Sequence, residues 1–265
     1  MSATRTGTPA WAVERGGIAG NMCVPAPVGG TDVCGVCHGW ARPGYPVCFA
    51  CRLTMSAVAR PCRRVSVVSL YRPDTPMHRL LRGYKDGGRG GADHLAGLLA
   101  RHLWEHGAEI APAGWDALVV VPSTSGRPAP HPLEQVLGAT FLAGQVWSGL
   151  LTAGPEAVDH RRAHDRAFRI SPEVAVEELR GARLVVLDDT WTTGARAQSA
   201  ASALESAGAS VEAIVVVGRV ISPVAGAPTG RWWGRHAGPP DQEKPDQEKP
   251  DQEKRASSPI RRPEL

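Results

Sequence analysis

The sequence predicts an α/β protein, a mainly parallel sheet flanked by helices, with a small amino-terminal metal-binding module and disordered ends. Three observations carry that expectation. Short apolar runs at Val65–Tyr71, Ala117–Val121, Leu184–Leu187 and Val211–Val217 read as strands, the last three almost continuously apolar, as strands buried on both faces are. Segments with helical spacing separate these runs, which makes successive βαβ units. Four cysteines ahead of the first run are spaced as two C-x-x-C pairs.

The elements follow in chain order. Residues 1–32 are rich in Gly, Pro, Thr and Ala without a period and are expected to be unstructured. The cysteine module occupies residues 33–60, and the α/β domain residues 61–222. After the first strand comes the glycine-rich stretch GYKDGG at 83–88. A helix then presents Leu95, Leu98, Leu99, His102 and Leu103 at helical spacing, with Gly107 to cap it. The second strand ends at Pro122 and leads into a polar loop containing Ser123 and Thr124; a helix is expected from about Leu133 to Leu151. The third strand leads to a small-residue helix, Ala197–Ala207, and then to the fourth strand. From residue 223 the periodicity stops, and PDQEK occurs three times in a charged tail that cannot bury a core.

Composition bounds the function. The chain has 265 residues, 42% of them hydrophobic, 21% charged and 5% aromatic, as a globular protein with one main core would. No apolar run approaches the roughly 20 residues that cross a bilayer, and the start MSATRTGTPAWAVERGG lacks the apolar centre of a secretion signal. The expected location is the cytoplasm, without membrane insertion. A net charge of +4 points only weakly to a polyanionic partner, because no long basic run accompanies it.

In a reducing compartment six cysteines suggest metal chemistry rather than disulfides. Cys34 and Cys37 form one pair and Cys48 and Cys51 the other, in CGVCHGWARPGYPVCFAC. Each pair bites one ion through a tight turn, and four thiolates close a tetrahedral, structural zinc site with no open position. Gly35, Gly39 and Gly44 supply turns. Cys23, Cys62 and His38 are read as bystanders.

The third strand ends in Asp188 and Asp189, two adjacent carboxylates that repel unless something binds them. Thr190, Trp191, Thr192, Thr193, Gly194 and Ala195 follow, then a helix, so that hydroxyls and backbone N–H groups converge at the positive end of a helix dipole. That loop suits a phosphate, and the acids upstream suit hydroxyls. A sugar phosphate satisfies both. No G-x-x-x-x-G-K-[ST] accompanies the acids, which excludes a P-loop ATPase.

VVLDDTWTTGA resembles the motif by which type I phosphoribosyltransferases bind 5-phosphoribosyl pyrophosphate (PRPP). With GYKDGG and the cysteine knuckle, residues 33–222 are similar to the ComF competence branch of that family. The resemblance implies that Asp188 and Asp189 hold the ribose hydroxyls and act in catalysis, and that Thr190, Thr192, Thr193, Gly194 and Ala195 bind the 5′-phosphate. Ser123 and Thr124 would face pyrophosphate, and His160, Arg161, Arg162 and Arg166 fall at the family's mobile loop. PRPP would enter with Mg2+. Two functions follow from it: transfer of phosphoribose to an unidentified acceptor, or PRPP binding without turnover in a protein of DNA uptake that contacts single-stranded DNA or other uptake proteins. Three departures bear on the choice. Trp191 stands where the family has an aliphatic residue, either crowding or covering the loop; Pro132-Leu133-Glu134-Gln135 keeps only Gln135 of the family's acceptor-side stretch; and the mobile loop is short.

Overall fold

The computed structural model describes residues 21–86, 89–123, 130–156 and 162–237. A four-stranded parallel sheet is built from β1 (Val65–Tyr71), β2 (Ala117–Val120), β5 (Arg183–Trp191) and β6 (Ser210–Val220), in the order β1-β6-β5-β2. A separate antiparallel pair, β3 (Leu151–Ala153) and β4 (Phe168–Ile170), is too short to have shown in the sequence pattern. The helices are α1 (Phe49–Ser56), α2 (Pro76–Gly83), α3 (Arg89–Ile110), α4 (Pro132–Gly138), α5 (Val176–Leu179), α6 (Ala195–Ser206) and α7 (Pro228–His236).

Strand alternation sorts the apolar runs onto two faces. Leu184, Val186, Ile214 and Val216 pack with the cysteine module, α6 and α7; Val185, Leu187, Val215 and Val217 pack with α2, α3 and α4. Both faces are therefore covered, which is why the runs carry so little polarity. α6 is nearly all Ala and Ser on its buried side, so it lies close against the sheet.

Several expectations are corrected. The helix expected over 133–151 stops at Gly138 and gives way to a 3-10 turn at Ala143–Gln145, and Gly149 takes φ +70 just before β3. Gly107 does not cap α3 but lies within it, where a Cβ would stand 3.3 Å from the Trp115 ring. Residues before 33 include Val24, which bridges Leu70 at the edge of β1. Beyond residue 223 the chain makes α7, whose Trp232 and Trp233 are buried in the main core. The PDQEK repeats lie outside the described residues. Among those residues no helix is long and apolar enough to cross a membrane.

Candidate functional site

β5 continues past the apolar run. Its ladder to β6 holds through Thr190↔Gly218 and Trp191↔Arg219, so the two aspartates belong to the strand rather than to the loop after it. On the other side β2 pairs no further than Val120↔Leu187. Asp188 and Asp189 thus stand at the lip where one neighbour has ended, the position at which parallel sheets hold ligands.

Alternation continues β5's two faces through the acids, and they meet different partners. Asp189 accepts a hydrogen bond from the Tyr84 hydroxyl at 2.5 Å and an ion pair from Lys85 Nζ at 2.6 Å. Burial works against its ionisation, yet the Lys85 charge, the bonds from Lys85 and Tyr84, and Arg196 together hold it below the usual carboxylate range. Asp188 accepts from the Asp189 N–H at 2.9 Å and is engaged by no ion pair among the described residues. Burial pushes it up to about 7, with the Asp189 charge adding to the rise and Arg196 opposing it. One acid is locked and ionised; the other holds its proton into the neutral range.

The loop beyond is shaped by Gly194, which takes φ +84 and caps α6 without a side-chain hydrogen bond. A Cβ there would stand 2.1 Å from Trp191 Cζ2, so the indole lies against the loop backbone and only glycine fits over it. Trp191 is 1% exposed. The ring lies against the loop backbone at Gly194. Its Nε1 is buried without a partner among the described residues. Thr193 Oγ1 accepts from the Ala195 N–H at 3.3 Å, while the Thr193 carbonyl accepts from Thr54 of α1 at 3.2 Å.

The other expected residues gather unevenly. Arg196, in the first turn of α6, donates to the Pro122 carbonyl at 3.0 Å and so draws the start of the Ser123 loop toward Asp188. Thr124, His160 and Arg161 lie outside the described residues. Ala163, next to Arg162, packs on Ala195, which brings the base of the loop between β3 and β4 to the start of α6; Arg166 lies 3.9 Å from Glu156. Gln135 donates to the Pro130 carbonyl, and His131 and Glu134 close a capping box at the start of α4. Lys85, through its ion pair with Asp189, joins the candidate site. Tyr84 and Arg196 escaped sequence reasoning: Tyr84 meets Asp189 across 105 positions, and only its place inside GYKDGG hinted at it.

The cysteine module is a candidate metal centre. The Sγ atoms of Cys34, Cys37, Cys48 and Cys51 all lie within 4.8 Å of one another and are buried. Zinc–sulfur bonds of about 2.3 Å in a tetrahedron set sulfurs about 3.8 Å apart; Cys37 and Cys48 are 3.8 Å apart. The Cys48 N–H donates to Cys34 Sγ and the Cys51 N–H to Cys48 Sγ, at 3.3 and 3.5 Å. By themselves four thiols this close cannot all ionise. Hydrogen bonds from the other three hold Cys34 far below its ordinary value, while the bonds that Cys51 makes with Cys34, Cys37 and Cys48 push Cys51 up. A divalent cation removes the conflict by taking four thiolates at once, so the residues present fit a structural ion such as zinc. Cys23 and Cys62 lie outside this group, and burial pushes Cys62 up to about 11. His38 is no ligand; its Nε2 bonds the Val65 carbonyl at 3.0 Å and ties the knuckle to β1.

Neither the protein-family models nor the curated proteins contain a match to this chain.

Proposed function

We propose that the chain binds PRPP at the carboxyl end of β5 and transfers its phosphoribosyl group. The supporting observation is one arrangement: a buried acid pair beyond the end of β2, followed within six residues by a left-handed glycine and a helix start with no side-chain cap. The 5′-phosphate would take the backbone of Thr192, Thr193, Gly194 and Ala195 at the positive end of α6. The ribose hydroxyls would meet Asp188, which no ion pair among the described residues occupies, while Lys85 and Tyr84 fix Asp189 behind it. Ser123 and Arg196 lie on the side expected to receive pyrophosphate. Mg2+ would come with the pyrophosphate as its counter-ion and supply charge neutralisation.

In the transfer, the nucleophile's lone pair bonds to the anomeric carbon as the bond to pyrophosphate oxygen breaks, and the nucleophile's proton goes to solvent. The chain's part is electrostatic: the carboxylates favour the positive charge that develops on the ribose, and Arg196 faces the negative charge that leaves. The test is calorimetric titration of PRPP with Mg2+ into the protein and into Asp188→Asn/Asp189→Asn. Micromolar binding lost in the double variant is expected. No heat with the wild type would end this reading.

A second reading, binding of single-stranded nucleic acid through the cysteine module, is favoured by a different observation. Tyr45 and Phe49 are 47% and 70% exposed, and the guanidinium groups of Arg42 and Arg52 lie 5.9 and 5.8 Å from the two ring centroids. Exposed rings beside cations are what stacked bases and phosphates use. Affinity for oligo-dT is expected to fall steeply with salt and to drop at least about tenfold in Tyr45→Ala/Phe49→Ala, since each stacked base contributes about 1–3 kcal/mol. Salt-insensitive or undetectable binding would sink it.

A further inference from the structure

One side chain, Arg219, reaches from the loop after the acid pair to the cysteine module. Arg219 stands at the end of β6, opposite Trp191 in the ladder. Its Nη1 donates to the carbonyls of Trp191 at 3.1 Å, Thr192 at 2.8 Å and Val220 at 2.6 Å, so it grips the backbone where the strand becomes the loop. The same guanidinium packs against the first knuckle at Gly39, two residues beyond Cys37; the Gly39 carbonyl accepts from the Cys34 N–H at 2.8 Å. Gly39, inside the knuckle, makes room for it: a Cβ there would stand 3.3 Å from Arg219 Nε. A second strut runs alongside. Thr54 lies three residues beyond Cys51 on α1 and donates to the Thr193 carbonyl. One helix thus carries a candidate metal ligand and a contact to the loop on neighbouring positions of one face.

We infer that Arg219 is a positioning residue that ties the loop after the acid pair to the cysteine centre, so that the order of the loop follows the metal occupancy of that centre. The reason is charge and reach. Four thiolates around a divalent cation carry a net charge of about −2, and a guanidinium beside them is both their counter-ion and a forked donor that spans to the loop carbonyls. When the ion leaves, the segments Cys34–Cys37 and Cys48–Cys51 keep only weaker ties such as the Gly35 N–H to the Pro46 carbonyl at 2.9 Å, the thiols no longer share four negative charges, and both struts loosen. Lysine keeps the charge but presents a point rather than a fork, and does not replace it.

The coupling is independent of what the loop binds; only its effect on affinity rests on the phosphoribosyl reading. The experiment is hydrogen exchange of the backbone amides over residues 190–198, on the zinc-loaded full chain and after chelation, in the wild type and in Arg219→Lys, with the interiors of β2 and β6 as internal controls. In the wild type, chelation is expected to speed exchange of the loop at least about tenfold, the scale of one charge-assisted hydrogen bond, while the controls hold. In Arg219→Lys the loop exchanges fast with or without zinc, and the ratio falls to about one. A wild-type loop indifferent to chelation overturns the inference without recourse to any variant, and so does an Arg219→Lys loop that keeps the full response. PRPP affinity measured on the same samples separates the two ideas. A drop of at least about tenfold on chelation extends the coupling to the ligand. Absence of PRPP binding to the zinc-loaded wild type refutes the ligand reading and leaves the exchange result to decide the coupling.

Discussion

At the scale of single residues, the acid pair divides its labour through its neighbours rather than through its own chemistry. Asp189 gains Lys85 and Tyr84 and is held ionised; Asp188 gains the backbone N–H of Asp189 and the more distant fields of Arg196 and Lys85. This has a consequence for stability. In the unfolded chain Asp188 loses its proton near 3.8, whereas in the fold it keeps it up to about 7. Between those values the native state binds more protons than the unfolded state, so raising the pH favours unfolding, and the cost is complete above about 7. The rise from 3.8 to about 7 sets an upper bound of about 4 kcal/mol. Asp188→Asn retains an oxygen for the Asp189 N–H and carries no charge. It is therefore expected to match the wild type near pH 4 and to exceed it by a few kcal/mol at pH 8, as read from denaturant titrations at both values. A variant equally destabilised at both would show that burial does not oppose the charge. The prediction sets stability against function, because the charge that costs most is the one proposed to meet the ribose.

At the scale of elements, the strands were legible because burial on both faces leaves a continuous apolar run, and that signal needs no knowledge of the partner strand. Their ends were not. Two carboxylates looked like the end of a strand, but a ladder is decided by backbone pairing with β6, which ignores side-chain charge. The short helices escaped for a related reason: PTGRWWGRH has two glycines and poor helical propensity, and burial of its tryptophans overrides that. The cysteine module was the most legible element, since ligand spacing is local. Its helix α1 begins at Phe49 with Cys48 as its cap, the Cys48 sulfur accepting from the Cys51 N–H, so the second knuckle and the helix are one unit. Metal analysis of the purified chain is expected to return about one zinc, lost in Cys34→Ser/Cys37→Ser, because two remaining thiolates leave half of a tetrahedral shell unfilled. Full retention of metal by that variant would place the ion elsewhere.

At the scale of the whole molecule, the sheet is closed on its module side by residues from both ends of the chain. What sequence reading could not supply was this long-range convergence. Thr54 reaches Thr193 across 139 positions and Arg196 reaches Pro122 across 74, and neither pairing leaves a periodic trace. The same blindness put a boundary at residue 222, where periodicity ends, although the fold does not end there. Trp232 is fully buried and Trp233 is 6% exposed within the core shared by the cysteine module, β1 and α6, and Arg72 lies 6.0 Å from the Trp233 ring. Arg235 pairs with Asp32, which joins α7 to the segment that leads into the first knuckle. Removing a buried tryptophan typically costs about 3–5 kcal/mol, and two approach the total stability of about 5–15 kcal/mol that a domain has. A chain ending at residue 227 is therefore expected to melt far below the full chain or to fail to fold. A chain ending at residue 237 keeps both tryptophans and the Asp32 pair and loses residues 238–265, the polar PDQEK repeats among them, so its melting temperature should match that of the full chain. If the two truncations melted alike, α7 would be an appendage, and the core would be complete at the boundary that the sequence pattern suggested.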